Sequence, residues 1–280
     1  MKLDDILADP LARPIAGASM AGRRAVIAGG GISGEFGSIG FATAWLLARE
    51  GARVVILDRD ADAAARSVAA IESEGGWAAA VVGDISDDAD CDRAVREAVG
   101  LLGGLDAVVT TVGRGDIDGI LDVDRNLWDQ IIAVNLTSAW QLIRSASPYF
   151  DSGGTIVTTS SGAAGARGPG MPYSVAKAAL EQLTVGAAAT LAPRGIRVNA
   201  IRVGTIWSTF ASRAFSPDLR ALRSESVALH TEGTVWDIAQ AALFLSGDRS
   251  RWISGQVLAV DGGGPTPPPP GHREATEQAR

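Results

Sequence analysis

Short, almost wholly apolar runs recur along this chain, each followed by a longer segment of helical periodicity. Runs rich in Val, Ile and Ala occupy 25–28, 53–57, 78–82, 107–111, 155–159, 197–201 and 256–260. They are too short for ordinary helices, and they lack the polar alternation of a strand with one wet face. Between them, apolar residues return at helical spacing, most clearly over 41–49, 93–101, 128–143 and 175–190. Strand–helix alternation with strands buried on both faces predicts an α/β fold, a doubly wound sheet of about seven parallel strands with helices on both sides. No linker or internal repeat interrupts the pattern, which predicts one domain over 21–263. Residues 1–20, with Pro10 and Pro14, read as an extension, and 264–280, opening Gly264-Pro265-Thr266-Pro267-Pro268-Pro269-Pro270, as a polyproline-type tail.

Composition removes several function classes. A net charge of −7 argues against a nucleic-acid partner, which leaves a basic footprint. The single cysteine, Cys91, forbids an intrachain disulfide and fits a reducing compartment. With only His230 and His272 beside it, no zinc site of His and Cys is expected, and no metal is assigned. No apolar run reaches the roughly 18 residues of a membrane span. Met1-Lys2-Leu3-Asp4-Asp5 lacks the basic-then-apolar pattern of a secretory leader, so the expectation is a cytoplasmic protein without membrane contact.

The first strand runs straight into Gly29-Gly30-Gly31, and Gly37-Ser38-Ile39-Gly40 opens the following helix. Glycines at a strand–helix turn let backbone approach a pyrophosphate, and the helix N-terminus offers free N–H groups with a positive dipole. Tight turns need glycine too, so the turn alone is weak evidence. The second strand then ends at Asp58, 18 residues past Gly40, near the spacing expected for an acid on a ribose diol. The competing reading of Asp58 is a helix cap, but the ordered series favours a dinucleotide. A carboxylate accepts hydroxyl hydrogen bonds and repels a 2′-phosphate, so NAD is preferred to NADP, with Arg59 the residue that speaks for NADP. Asp84, in Val82-Gly83-Asp84-Ile85, is either an adenine contact or a turn former.

Later in the chain stands Tyr173-Ser174-Val175-Ala176-Lys177. Residues four apart share a helix face, and an ammonium near a phenol favours its ionised form. The pair alone arises readily by chance. Placed after the nucleotide turn, it makes the chain resemble the short-chain dehydrogenase/reductase family from about Arg24 to Gly263. Further segments carry the resemblance. These are Val134-Asn135-Leu136, Gly153-Gly154-Thr155-Ile156-Val157-Thr158-Thr159-Ser160-Ser161, Arg197-Val198-Asn199-Ala200-Ile201, and Trp252-Ile253-Ser254-Gly255 through Val260-Asp261-Gly262-Gly263. The chain departs from the family at Ala28-Gly29, in about three extra residues within Ile32–Ser38, at Thr110-Thr111-Val112-Gly113 and at Val203-Gly204. Enoyl reductases of the superfamily also have a longer first loop, and Ser38-Ile39 resembles theirs, but they space Tyr and Lys further apart.

The resemblance implies a Rossmann-like fold and a tetrad of Asn135, Ser161, Tyr173 and Lys177. In it Tyr173 exchanges a proton with the substrate oxygen and Lys177 lowers its pKa while binding ribose. The serine orients that oxygen, and Asn135 holds a water linking Lys177 to solvent. Alignment on the strand selects Ser161, and counting back from Tyr173 selects Ser160. The strand-based choice is preferred, because loop lengths vary more readily than strand ends. Implied cofactor contacts are Gly29, Gly31, Ser38, Ile39, Asp58, Asp84, Ile85, Gly113, Gly204, Ile206 and Ser208, with Tyr173 and Lys177. Substrate recognition is expected over 204–234, where Trp207, Phe210 and Phe215 suggest an apolar pocket and Arg213, Arg220 and Arg223 read as solvated. Met171 and Pro172 are further candidates.

The expected function is therefore an NAD-dependent oxidoreductase interconverting a secondary alcohol and a ketone on a moderately apolar small molecule. Two competitors stand beside it: an NADPH-dependent carbonyl or β-ketoacyl thioester reductase, and a dinucleotide-sensing regulatory protein without turnover. The resemblance also implies a homo-oligomer, a tetramer or dimer built on the helices over 124–149 and 173–193.

Overall fold

A computed structural model describes residues 19–264 apart from 35–36, 117, 167–169 and 215–217. Most of the N-terminal extension, the Pro-rich tail after Gly264, and Phe215 lie outside the described residues, as does the Arg213 side chain.

Seven strands form one sheet in the order β3-β2-β1-β4-β5-β6-β7, and every adjacent pair is parallel. They are β1 (Arg24–Ala28), β2 (Arg53–Asp58), β3 (Trp77–Val82), β4 (Leu105–Thr110), β5 (Phe150–Ser161), β6 (Ile196–Val203) and β7 (Val257–Val260). The helices are α1 (Ile39–Arg49), α2 (Ala61–Ser73), α3 (Asp88–Leu102), α4 (Arg125–Ile132), α5 (Ser138–Ala146), α6 (Met171–Leu191), α7 (Thr209–Ala214), α8 (Asp218–Glu225) and α9 (Val235–Ser246). Successive strand residues divide between two cores. Val54 and Ile56 join α1 and α9 on one face, while Val55 and Leu57 join α3 and α5 on the other. That division is why the runs are apolar without alternation.

Local chemistry sets the helix starts. Ser38, Asp60, Asp87 and Asp124 each accept a hydrogen bond from the third residue onward, and Thr234 forms a capping box with Asp237. Each such cap contributes about 1 kcal/mol.

Two elements differ from the sequence expectation. The helix expected over 128–143 is broken by a π turn at Ala133–Thr137. β5 begins five residues before 155, because Phe150 pairs with Leu105 ahead of a register shift at Leu105/Ala107. Among the described residues no helix is long and apolar enough to cross a membrane.

The chain leaves β1 toward β2 and β3 on one side, then returns to β4 on the other. The reversal opens a crevice at the carboxyl ends of the strands. Gly29, Asp58, Asp84, Gly113, Ser161 and Gly204 all lie at those ends.

Candidate active site

The nucleotide end of the crevice is built by close backbone approach. Gly29 has φ +78°, in the left-handed region, and a Cβ on Gly40 would lie 2.1 Å from the Gly29 carbonyl oxygen. Only glycine lets α1 seat this tightly on the turn after β1. Ser38 donates to the Gly31 carbonyl (3.0 Å) while accepting from Phe41 N (3.2 Å), which ties the lengthened loop to the start of α1. Ile39 opens that helix, where the first N–H groups have no intrahelical acceptor.

Asp58 faces the same turn. Its Oδ2 accepts from Gly31 N (2.9 Å) and its Oδ1 from Asp60 N (3.1 Å). A carboxylate has about four acceptor positions, so capacity for a ribose diol remains. A Cβ on Gly31 would lie 2.7 Å from Asp58 Oδ2, so the glycine keeps this cradle open. A dinucleotide therefore fits the residues present. Arg59 is exposed beside it.

The remaining expected contacts also carry roles in the fold. Asp84 accepts from Ser86 N (2.9 Å) and Ser86 Oγ (2.6 Å) in a turn, both on Oδ1. Ile85 and Ile206 are buried core residues. Ser208 is buried too, and its hydroxyl accepts from Ala211 N (3.3 Å), capping the first turn of α7. Gly204 sits against Asp261, where a Cβ would come within 2.3 Å of the backbone.

The structure brings Asn135, Ser161, Tyr173 and Lys177 together. Gly170, in the left-handed region, and Pro172 start α6, which places Tyr173 in its first turn and Lys177 in its second. The Lys177 ammonium is buried, 5.6 Å from the Tyr173 ring centroid, and donates to the Thr159 carbonyl (2.8 Å). Burial pushes it down to about 8. The Tyr173 phenol is pushed up by burial, and the opposing influence is a hydrogen bond with Ser161. Ser161 Oγ also accepts from Ala163 N (3.2 Å), which leaves its proton free to point at the phenol oxygen.

The ammonium spends one of its three donors on Thr159, and the Ser161 hydroxyl beside the phenol favours its ionised form.

Ser160 faces the opposite way. It donates to Glu181 Oε1 (2.7 Å), and Glu181 is held in turn by Arg202 at 2.8 and 2.5 Å.

Asn135 sits in the π turn and is buried. Its Nδ2 donates to Arg114 O (2.8 Å) and Ile131 O (2.9 Å), and its Oδ1 accepts from Arg114 N (3.2 Å). A Cβ on Gly113 would lie 3.1 Å from Asn135 Oδ1 and 3.5 Å from Lys177 Nζ, so Gly113 leaves space beside the ammonium.

On the substrate side, Phe210 lies against Tyr173, with Trp207 buried beneath the segment. Met171 is half-buried and Pro172 buried at the start of α6. Arg220 stacks over Trp207 at 5.1 Å and pairs with Glu232 at 2.6 Å, and Arg223 donates to Ile206 O (3.4 Å). Arg220 makes these contacts while staying exposed, as expected, whereas Arg223 is half-buried and braces the segment, a departure from its expected solvation. Sequence reasoning missed the Thr159 carbonyl, Gly115, Asp116 and Glu181. A backbone acceptor carries no side-chain signal, whereas Glu181, one turn past Lys177, was there to be found by helical spacing.

Comparison with known proteins agrees with this fold. The family model described as enoyl-(acyl carrier protein) reductase matches residues 34–264. A curated relative, 2-(S)-hydroxypropyl-CoM dehydrogenase 3 of Xanthobacter autotrophicus, is 35% identical over 83% of this chain and 94% of its own. The A-factor type gamma-butyrolactone 1'-reductase (1S-forming) of Streptomyces virginiae is 35% identical over 83% of this chain and 93% of its own. A short-chain dehydrogenase from Burkholderia cenocepacia J2315, solved in complex with NADP, superposes with a TM-score of 0.80 at 31% identity, covering 88% of this chain and 98% of that one.

Proposed function

The chain belongs to the short-chain dehydrogenase/reductase family, and on that premise we propose that it interconverts a secondary alcohol and a ketone with NAD. The observation that carries this reading is the convergence of Ser161, Tyr173 and a buried Lys177 at the carboxyl end of β5, facing the crevice. Tyr173 gives a proton to a carbonyl oxygen in reduction and takes one from a hydroxyl in oxidation. Ser161, aimed by Ala163 N–H, hydrogen-bonds the same oxygen and fixes its orientation. A bound nicotinamide dinucleotide supplies or accepts the hydride. Gly29, Gly31 and the start of α1 would hold its diphosphate, Asp58 the adenosine ribose, and Lys177 the ribose beside Gly113. Asn135 backs Lys177 through the loop it ties down. Both donors of its side-chain amide are already committed, so a relay water would rest on its Oδ1 or on backbone oxygens of the π turn.

One relative is named as a dehydrogenase and another as a reductase, which leaves the working direction to the substrate. The second reading is an NADPH-dependent carbonyl reductase, favoured by the NADP-bound neighbour and by Arg59. Asp58 at the end of β2 is the reason for preferring NAD. The protein is proposed to work in the cytoplasm as a homo-oligomer. The test is parallel titration with both dinucleotides, followed by a screen of secondary alcohols with NAD at alkaline pH. Tighter binding of NAD and turnover that vanishes in Tyr173→Phe are expected. A clear preference for NADP would overturn the cofactor assignment, and bound NAD with no alcohol oxidised would overturn the reaction.

A further inference from the structure

Phe210 and Gly115 meet across the approach to Tyr173, and neither takes part in the proton transfer described above. The Phe210 ring centroid is 6.0 Å from that of Tyr173, with the planes 35° apart. Carbon atoms in contact lie about 3.5–4.0 Å apart, so a flat group between two rings needs roughly 7 Å. No substituent therefore slides between these two rings. On its other side the Phe210 ring rests on the loop after β4, where a methyl group added to Gly115 would lie 3.0 Å from Phe210 Cζ.

Both halves of this contact are anchored. Thr209 N donates to Gly37 O (3.3 Å) and Ala211 N to Ser208 Oγ (3.3 Å), which hold the backbone on either side of Phe210. Across the gap, Tyr173 N donates to Asp116 Oδ2 (3.3 Å) and Gly170 N to Asp118 O (2.9 Å), tying the Gly115 loop to the start of α6. Phe210 nonetheless remains 44% exposed, so it faces the cleft as a wall and does not fill a core.

We infer that Phe210, seated on Gly115, is a specificity-determining residue that admits only a methyl-sized substituent on its side of the reacting carbon. The inference rests on the assignment of Tyr173 as the group that exchanges a proton with an alcohol or ketone. The substrate class is then methyl carbinols and methyl ketones, whose second, larger apolar substituent leaves the site away from Phe210.

The test compares methyl hexyl carbinol with propyl butyl carbinol, isomers of equal size that differ in where the bulk lies. Wild type should favour the methyl carbinol in kcat/KM by about tenfold or more, and Phe210→Ala should reduce the preference to about threefold or less. Gly115→Ala displaces the ring and should change the preference in wild type but not in the Phe210→Ala background. Dinucleotide affinity, read separately, shows that each variant is folded. Binding of methyl hexyl ketone and propyl butyl ketone in the presence of NADH, read as a melting-temperature shift, reports the same preference without turnover. An unchanged preference in Phe210→Ala overturns the inference and leaves the Tyr173 assignment standing. A ketone preference that follows Phe210 in a protein that oxidises neither carbinol supports the inference and overturns the assignment.

Discussion

Tyr173 and Lys177 carry opposite burdens from the same cause. Burial disfavours the charged form of each, so the phenol rises and the ammonium falls to about 8. Oxidation needs the phenol oxygen to accept a proton, so its rate should climb with pH. Ser161→Ala removes the hydrogen bond that favours the phenolate. We expect the rising limb of kcat against pH to move to higher pH, with turnover at neutral pH down about a hundredfold. Ser160→Ala, whose hydroxyl is spent on Glu181, should leave that limb where it is. An unmoved limb in Ser161→Ala would reverse the assignment of the two serines.

The Lys177 shift also bears on stability. Its value is about 8 in the fold against 10.5 for the free side chain. Between those values the unfolded chain holds more protons, so stability rises with pH across that window. Below it, the fold carries the full cost of a buried ammonium. Lys177→Met should therefore be more stable than wild type at neutral pH by roughly 3 kcal/mol, less whatever the lost Thr159 bond contributes. The advantage should fade as pH climbs through the window, which urea unfolding at several pH values would show.

At the scale of elements, strand positions were legible because burial on both faces leaves a plain apolar signature. The break in the helix over 128–143 was not. The π turn is held by Asn135 reaching Arg114, a partner 21 residues away that no local pattern can supply. The same limit applies to Asp84, where a turn role and an adenine role are written with the same residues. Glycines show the point most sharply, since a helix position alone does not say what a Cβ would meet. Gly40→Ala would drive its methyl to 2.1 Å from the Gly29 carbonyl and 2.6 Å from Thr111 Oγ1. Backbone cannot retreat there without moving the nucleotide turn, so dinucleotide affinity should fall at least tenfold in a fluorescence titration. Gly100, in α3, has nothing within 4 Å of the added carbon. Gly100→Ala should stabilise the protein by about 0.5–1 kcal/mol, measured as a higher melting temperature.

For the whole molecule, the sheet order follows from the connections. Each crossover returns a parallel strand beside its predecessor, and the one reversal, from β3 to β4, creates the crevice that gathers six loops at one edge. Sequence pattern therefore suffices to predict which loops gather at that edge, without any side-chain contact. It could not show which wall of the cleft Phe210 forms, because that depends on loops from β4 and β6 meeting in space. The opposite question is which surfaces remain to be covered. Trp140 on α5 and Val185 on α6 are 45% and 40% exposed, on the two helices where the resemblance places subunit contacts. Arg144 stacks over the Trp140 ring at 5.1 Å and shields part of it, while Val185 has no such cover from a charged neighbour among the described contacts. A carboxylate at position 185 would have to be desolvated in any interface formed there, at a cost of several kcal/mol. Val185→Glu should therefore shift the mass measured by light scattering from an oligomer to a single chain, with dinucleotide binding retained because the crevice lies at the far end of α6. An oligomer that persists unchanged in Val185→Glu would place the subunit contacts on another face of the sheet.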